Sequence, residues 1–151
     1  MTSPHWLCHT YSELNGTQLH HIFQLRSAVF VVEQQCVYQD IDGLDLAALH
    51  VTGWLGDDTL VAYLRILAPG VKYADAAIGR VCNAIQLRGT GIGRQLMEQG
   101  IRQVTRHYPE NDIRLSAQSH LNGFYGSLGF HQVSEDYLED GIPHMEMHRP
   151  A

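Results

Sequence analysis

The chain has almost no lysine. Among its ten basic residues only Lys72 is one; the rest are arginines, set against sixteen acids, and the formal net charge is -6 with ten histidines neutral. A protein that grips a polyanion concentrates positive charge in a stripe or patch. None is written here, so nucleic acid is not an expected partner. The acidic balance keeps the chain soluble and leans toward a cationic small substrate. Cysteine is equally sparse: Cys8, Cys36 and Cys82 are odd in number and show no pairing pattern. No apolar run approaches the ~18 residues of a membrane span. The opening MTSPHWLCHTYSEL lacks the basic start and apolar centre of a secretory signal. These absences predict a cytoplasmic protein with reduced thiols and no membrane partner.

What is present fits one domain over residues 1–151. The five prolines are scattered, 44% of residues are apolar, and no repeat or linker interrupts them. HWLCHTY alternates as a strand. After the NGT turn, with Thr17 as the expected cap, Leu19, Ile22, Phe23, Arg26, Val29 and Phe30 recur at helical spacing to about Gln34. LHVTGWL and LVAYLRIL flank a Gly56-Asp57-Asp58 hairpin. AAIGRVCNA is another strand. Ile92, Leu96, Met97, Ile101 and Val104 form one stripe of a long helix that Pro109 ends. DIRLSAQ is a strand, HLNGFYGSLGF a short helix stopped by Gly129, and HQVSEDYL and PHMEMH two closing strands. The order β-α-β-β-β-α-β-α-β-β is an α/β fold with a mixed, largely antiparallel sheet.

Between the third strand of the central group and the long helix stands LRGTGIGRQLM, with Gly89, Gly91 and Gly93 at alternating positions. The first turn of a helix presents unpaired N–H groups and a partial positive charge. A pyrophosphate can sit there if no Cβ blocks it, and Arg88 and Arg94 add charge. A P-loop would require a lysine after Gly93, and a dinucleotide fingerprint a G-x-G-x-x-G spacing; neither is met.

The pattern R-x-x-G-x-G, carried by Arg88, Gly91 and Gly93, resembles that of the GNAT family of acetyl-CoA-dependent N-acetyltransferases. FYGSLGF, Phe124 to Phe130, is similar to the second signature of that family. LRSAVFVVEQQCVYQDIDGLD, IGRV and YLEDGIPHMEM resemble its ElaA subgroup, so the likeness spans about residues 12 to 148. Asn83 stands where a hydrophobic residue is usual, Gln118 where asparagine is common, and the proline often preceding the turn arginine is missing.

The resemblance implies transfer of an acetyl group from acetyl-CoA to an amine, on a small molecule or a protein, without a metal. It assigns the pyrophosphate to backbone N–H groups of Gly89, Thr90, Gly91, Ile92, Gly93 and Arg94, with Arg88 adding charge to that cofactor site. The acyl arm falls to the backbone of Val81, Cys82 and Asn83, with Gln118 as a further hydrogen-bonding group. Tyr125 becomes the proton donor to the departing thiolate, a phenol with an ordinary pKa of ~10 being protonated at neutral pH. Candidate bases for the amine are Glu33, Asp40, His50, His120 and His144, with none singled out. An acyl-enzyme on Cys82 is the alternative to direct attack. A non-catalytic acyl-CoA-binding or sensing module with the same fold is the alternative to an enzyme. A homodimer is compatible with the sequence.

Two other patterns carry less. His5 and His9, like His144 and His148, are four apart, but in strands that separation is ~13 Å and no zinc can be shared. DIDGLD lacks the spacing of a calcium loop. It reads as an acidic surface loop, or as Asp40, Asp42 and Asp45 receiving a cationic acceptor.

Overall fold

The structure, a computed structural model, describes residues 3–151. Strand β1 (His5–Thr10) leads into α1 (Gly16–Arg26) and a π-helix at Ser27–Glu33. Strands β2 (Leu49–Leu55), β3 (Thr59–Leu67) and β4 (Ala76–Asn83) follow, then α2 (Ile92–His107). The remainder is β5 (Ile113–Gln118), α3 (Asn122–Gly126), β6 (His131–Gln132), β7 (Tyr137–Glu139) and β8 (Ile142–Arg149). The sheet runs β1-β2-β3-β4-β5-β8-β6, with β7 also on β8. Every pairing is antiparallel except β4 with β5. The expected mixed, largely antiparallel sheet is therefore present.

Three local expectations change. Asn15, not Thr17, caps α1: its Oδ1 accepts from Gln18 N at 2.8 Å while Gln18 Oε1 accepts from Asn15 N at 2.9 Å. That reciprocal box satisfies two donors at once. The helix does not stay α-helical to Gln34. Past Arg26 the AVFVVE run widens, and Gln34 and Cys36 donate five residues back, to Val29 and Val31. β-branched side chains crowd the preceding turn of an α-helix, and a π-bulge relieves that crowding. Finally, HQVSEDYL is not one strand: residues 133–136 break it into β6 and β7, and both fragments pair with β8.

The sheet is buried on both faces over its central strands. On one face α2 lays Ile92, Leu96, Met97 and Val104 over Leu64, Ile78, Leu115, Met145 and Met147. Gly100 permits this approach, since a Cβ there would stand 2.7 Å from Leu64 Cδ2. On the other face α1 and the π-helix bury Ile22 and Val29 against Trp54, Tyr63 and Cys82.

Candidate active site

Two departures from regular pairing shape the middle of the sheet. Strands β4 and β5 pair only at Ala76–Ile113 and Ala77–Arg114, after which they part. Parallel neighbours that continued in register would seal this space with hydrogen bonds. Here a seam opens, flanked by the ends of both strands, Asn83 and Gln118. The second departure is a bulge. Tyr63 faces Cys82 and Arg65 faces Gly79, so β4 carries one residue more than β3 between these pairs. Arg80 lies in it with φ +52°. Bulges redirect side chains, and Arg80 is sent toward the 38–42 loop.

The glycine turn stands at the head of the seam. Gly89 and Gly91 have φ of +81° and +86°, which L side chains rarely adopt, and nothing lies within 4 Å of where a Cβ would be. Gly91 caps α2 without a side-chain bond, and the first intrahelical bond runs from Gln95 N to Gly91 O at 3.2 Å. The N–H groups of Ile92, Gly93 and Arg94 precede it, so the intrahelical ladder leaves them free. At Gly93 a Cβ would approach Asn83 Nδ2 to 3.4 Å and the Phe124 ring to 3.9 Å. A depression of about 230 Å³ lies between the turn and the start of the chain, walled by Ser3, Pro4 and Leu55 as well as Leu87, Thr90, Ile92 and Gln95, and does not reach the seam residues.

The two expected signatures meet here. Arg94 donates from Nη2 to Ser127 Oγ, and Ser127 Oγ donates to the Phe124 carbonyl at 2.6 Å. Tyr125 follows in α3, 6% exposed, its ring edge-on to Phe124 and Phe130. Burial alone pushes its phenol up to about 12. It therefore stays protonated through the physiological range. Arg88 is not turned to the glycines: its guanidinium forks onto Glu33 at the end of the π-helix, with Nη2 2.7 Å from Oε1. The Arg88 charge holds the Glu33 carboxyl below its ordinary range. Cys82 lies fully buried, and burial pushes its thiol well up, away from the thiolate a nucleophile needs. At the other edge of the seam Gln118 is half-buried, and the Ser119 hydroxyl after it is buried without a protein partner.

The structure sorts the candidate bases. His50 is 1% exposed and spoken for at both nitrogens. Nε2 donates to the Asp45 carbonyl at 2.9 Å, and Nδ1 accepts from Tyr63 OH at 2.7 Å. Burial lowers its pKa, so it stays neutral. Glu33 belongs to Arg88. His120 is exposed on the turn after β5. His144 is nine-tenths buried on β8, directly across from Gln118.

Asp40 is not a surface residue, and neither is Asp45; they are 8% and 3% exposed. The expected acidic loop is instead the lid of a buried ion-pair cluster that sequence reasoning missed. Arg26, wholly buried, donates from Nε to Asp40 at 2.9 Å and from Nη1 to Asp45 at 2.7 Å. Arg65 forks onto Asp42 at 2.7 and 2.8 Å and reaches Asp45 at 3.1 Å. Arg80, from the bulge, lies 2.8 Å from Asp40 and 3.2 Å from Asp42. These aspartates are already neutralised by three arginines, which leaves little for a cationic acceptor. The loop they anchor continues to Cys36, whose Sγ meets the Asp140 carbonyl in the β7–β8 turn at 3.8 Å. Asp75, Asp112 and His148 form another grouping, at the far end of β5, with His148 Nε2 already 2.8 Å from Asp112.

The chain is similar to several known proteins. Residues 18–150 match the family described as the acetyltransferase (GNAT) domain. Protein ElaA of Escherichia coli strain K12 is 50% identical over 141 residues, 92% of each chain. The crystal structure of E. coli ElaA superposes with a TM-score of 0.91 at 47% identity, over 97% of this chain and 99% of that one. An acyl-CoA N-acyltransferase structure from Pseudomonas aeruginosa gives 0.93 at 44% identity, over 97% and 99%. No helix among the described residues is long and apolar enough to cross a membrane.

Proposed function

The chain belongs to the GNAT acetyltransferase family, and from that premise we propose that it is a single-domain cytoplasmic enzyme moving the acetyl group of acetyl-CoA to a primary amine by direct attack. The observation that carries this reading is the pairing of an open glycine turn at the head of α2 with a buried, protonated Tyr125 beside it. A module that only held the donor would have no use for a proton donor there.

Acetyl-CoA supplies the thioester and the diphosphate handle. The N–H groups of Gly89, Gly91, Ile92, Gly93 and Arg94 receive the diphosphate, where the helix terminus favours negative charge, while the Thr90 N–H donates to the Leu87 carbonyl at 3.3 Å. The freed edge of β4 at Val81, Cys82 and Asn83 offers ladder groups to an extended amide chain, in the manner of an added strand. An N–H on that edge polarises the thioester carbonyl. Gln118 offers an amide from the opposite edge. Tyr125 hands its proton to the leaving sulfur and regains one from the nascent amide. Cys82, a buried thiol, takes no part, so the amine attacks the thioester itself. Arg88 acts through its pair with Glu33, fixing the turn against the π-helix.

The test is Tyr125→Phe with thiol release as the readout. Turnover should fall about 10²–10⁴-fold, as for loss of a general acid, with acetyl-CoA affinity by calorimetry retained. Unchanged turnover removes Tyr125 from the mechanism. Tight acetyl-CoA binding by the wild-type protein without turnover on any amine would assign it to acyl-CoA sensing instead.

A further inference from the structure

An alkylammonium has no lone pair to attack with; its ordinary pKa of ~10.4 means a proton must first be taken from it. Of the five residues with suitable chemistry, three are committed elsewhere, Glu33 to Arg88, Asp40 to Arg26, and His50 to Tyr63 and the Asp45 carbonyl, while His120 stands exposed on the turn after β5 without a bound partner to orient it. The fifth is prepared for the task. His144 Nδ1 lies 2.7 Å from the Ile142 carbonyl oxygen. A carbonyl only accepts, so Nδ1 carries the hydrogen and Nε2 keeps its lone pair. Nε2 is 3.3 Å from Glu139 Oε2. That carboxylate is near enough to stabilise the positive charge that forms when Nε2 takes a proton. The Tyr137 ring stacks on the imidazole with centroids 6.3 Å apart, and Tyr137 OH is hydrogen-bonded to Ser116 on β5.

Placement agrees with the task. His144 faces Gln118, the last residue of β5 at the seam. Its neighbours Met145 and Met147 point into the core that holds Tyr125. Strand alternation therefore puts His144 on the opposite face. His144 thus lies across β5 from the seam, on the sheet face opposite Tyr125. Glu146, the next residue on that face, is engaged by Arg114 Nη1 at 3.3 Å.

Resting on the acetyl-transfer reading above, we propose that His144 is the general base of this enzyme, directly or through one water, with Glu139 as its positioning residue. The balance is closed. The ammonium gives one proton to His144 Nε2. The freed nitrogen pair forms the C–N bond, and the C–S bond breaks. The sulfur takes the Tyr125 proton, the amide nitrogen returns one to Tyr125, and His144 releases its own to solvent.

Wild type, His144→Ala and His144→Gln would be assayed by thiol release from acetyl-CoA with spermidine, an Nα-blocked lysine and a short peptide with a free N-terminus. With acetyl-CoA affinity unchanged, kcat should fall about 10²–10⁴-fold in both variants while KM for the amine stays within about threefold. Added imidazole should restore His144→Ala by at least about tenfold and leave His144→Gln unaffected, because only alanine leaves room for a substitute base. Glu139→Gln should lose about tenfold in kcat and little in KM. Separately, ¹⁵N spectra of neutral His144 in the free enzyme should show the Nδ1–H tautomer. Wild-type turnover in His144→Ala, a loss that imidazole does not repair, or an Nε2–H tautomer overturns the assignment while acetyl transfer stands. Wild-type protein that binds acetyl-CoA and acetylates none of these amines overturns both.

Discussion

The head of α2 and the ion-pair cluster under residues 38–45 both border β4, and they are built in opposite ways. The first works by omission: glycines at positive φ, an uncapped helix start, N–H groups left unengaged. The second works by accumulation, with three arginines and three aspartates closing on one another from four segments of the chain. One region leaves its polar groups for a ligand. The other turns its charges on one another, leaving only Asp45 Oδ2, Arg65 Nε and Arg80 Nε of its buried atoms without a hydrogen bond, and so fixes the loop and the bulge beside the seam. A binding turn can be cheap in stability because water serves its donors until the ligand arrives. A buried cluster has no such substitute, and each charge depends on its partner.

The contrast can be broken most directly at Arg26. Arg26→Met takes from Asp40 and Asp45 the one wholly buried partner they share, leaving Asp40 only Arg80 and Asp45 only Arg65, and should cost about 3 kcal/mol in urea unfolding. A loss under about 1 kcal/mol would mean that the cluster is not the dependent structure described. Gly91→Val is the counterpart. Its positive φ should cost only about 1–2 kcal/mol of stability, while acetyl-CoA affinity falls by more than about tenfold as a side chain enters the diphosphate space. If stability suffers more than affinity, the turn is a packing device.

Acid sharpens the same comparison. Hydrogen bonding from Arg65 chiefly holds the Asp42 carboxyl far below its ordinary range, and the Asp45 carboxyl, despite its burial, is lowered by Arg26 and Arg65. A carboxyl depressed on folding contributes stability that is complete above its unfolded pKa, near 3.8, and is lost as pH falls through the folded value. His50, also depressed, adds a loss that begins below its unfolded value near 6.5. Melting temperature should therefore be level between about pH 7 and 8, dip modestly below about pH 6.5 and drop steeply below about pH 4. In Asp42→Asn the steep phase should shrink; an unaltered profile would assign acid unfolding to other groups. The smallest change lies outside both regions: Asn15→Ala should cost about 1 kcal/mol by unfolding, as expected for loss of a helix cap.

Legibility followed the same division. The glycine turn and the α2 stripe are contiguous, so their meaning is local, and the structure buries Ile92, Leu96, Met97 and Val104 as the periodicity implies. FYGSLGF is likewise compact, and Arg94 and Ser127 bring it to the turn. The cluster was opaque because its members are far apart in sequence; Arg80 and Asp40 are 40 residues from one another. Polar residues in a loop read as surface until something distant is known to face them. The π-helix was opaque for a different reason. The same valines suit a fraying helix or a strand, and only packing against Trp54 and Tyr63 decides. Asn15-x-x-Gln18 was readable as a capping box but competed with Thr17 two residues on. His144 is one name among five until the partners of Glu33, Asp40 and His50 are known.

With two rungs joining β4 to β5, the sheet is mechanically a pair of panels, β1–β4 and β5–β8. Each panel keeps its own complete ladder, and mainly side-chain packing resists their separation. Tension applied across the join should open the protein there first, as a door turns before its planks split. A chain severed in the exposed turn at Pro109–Glu110 would leave both panels whole, ready to reassemble from two pieces.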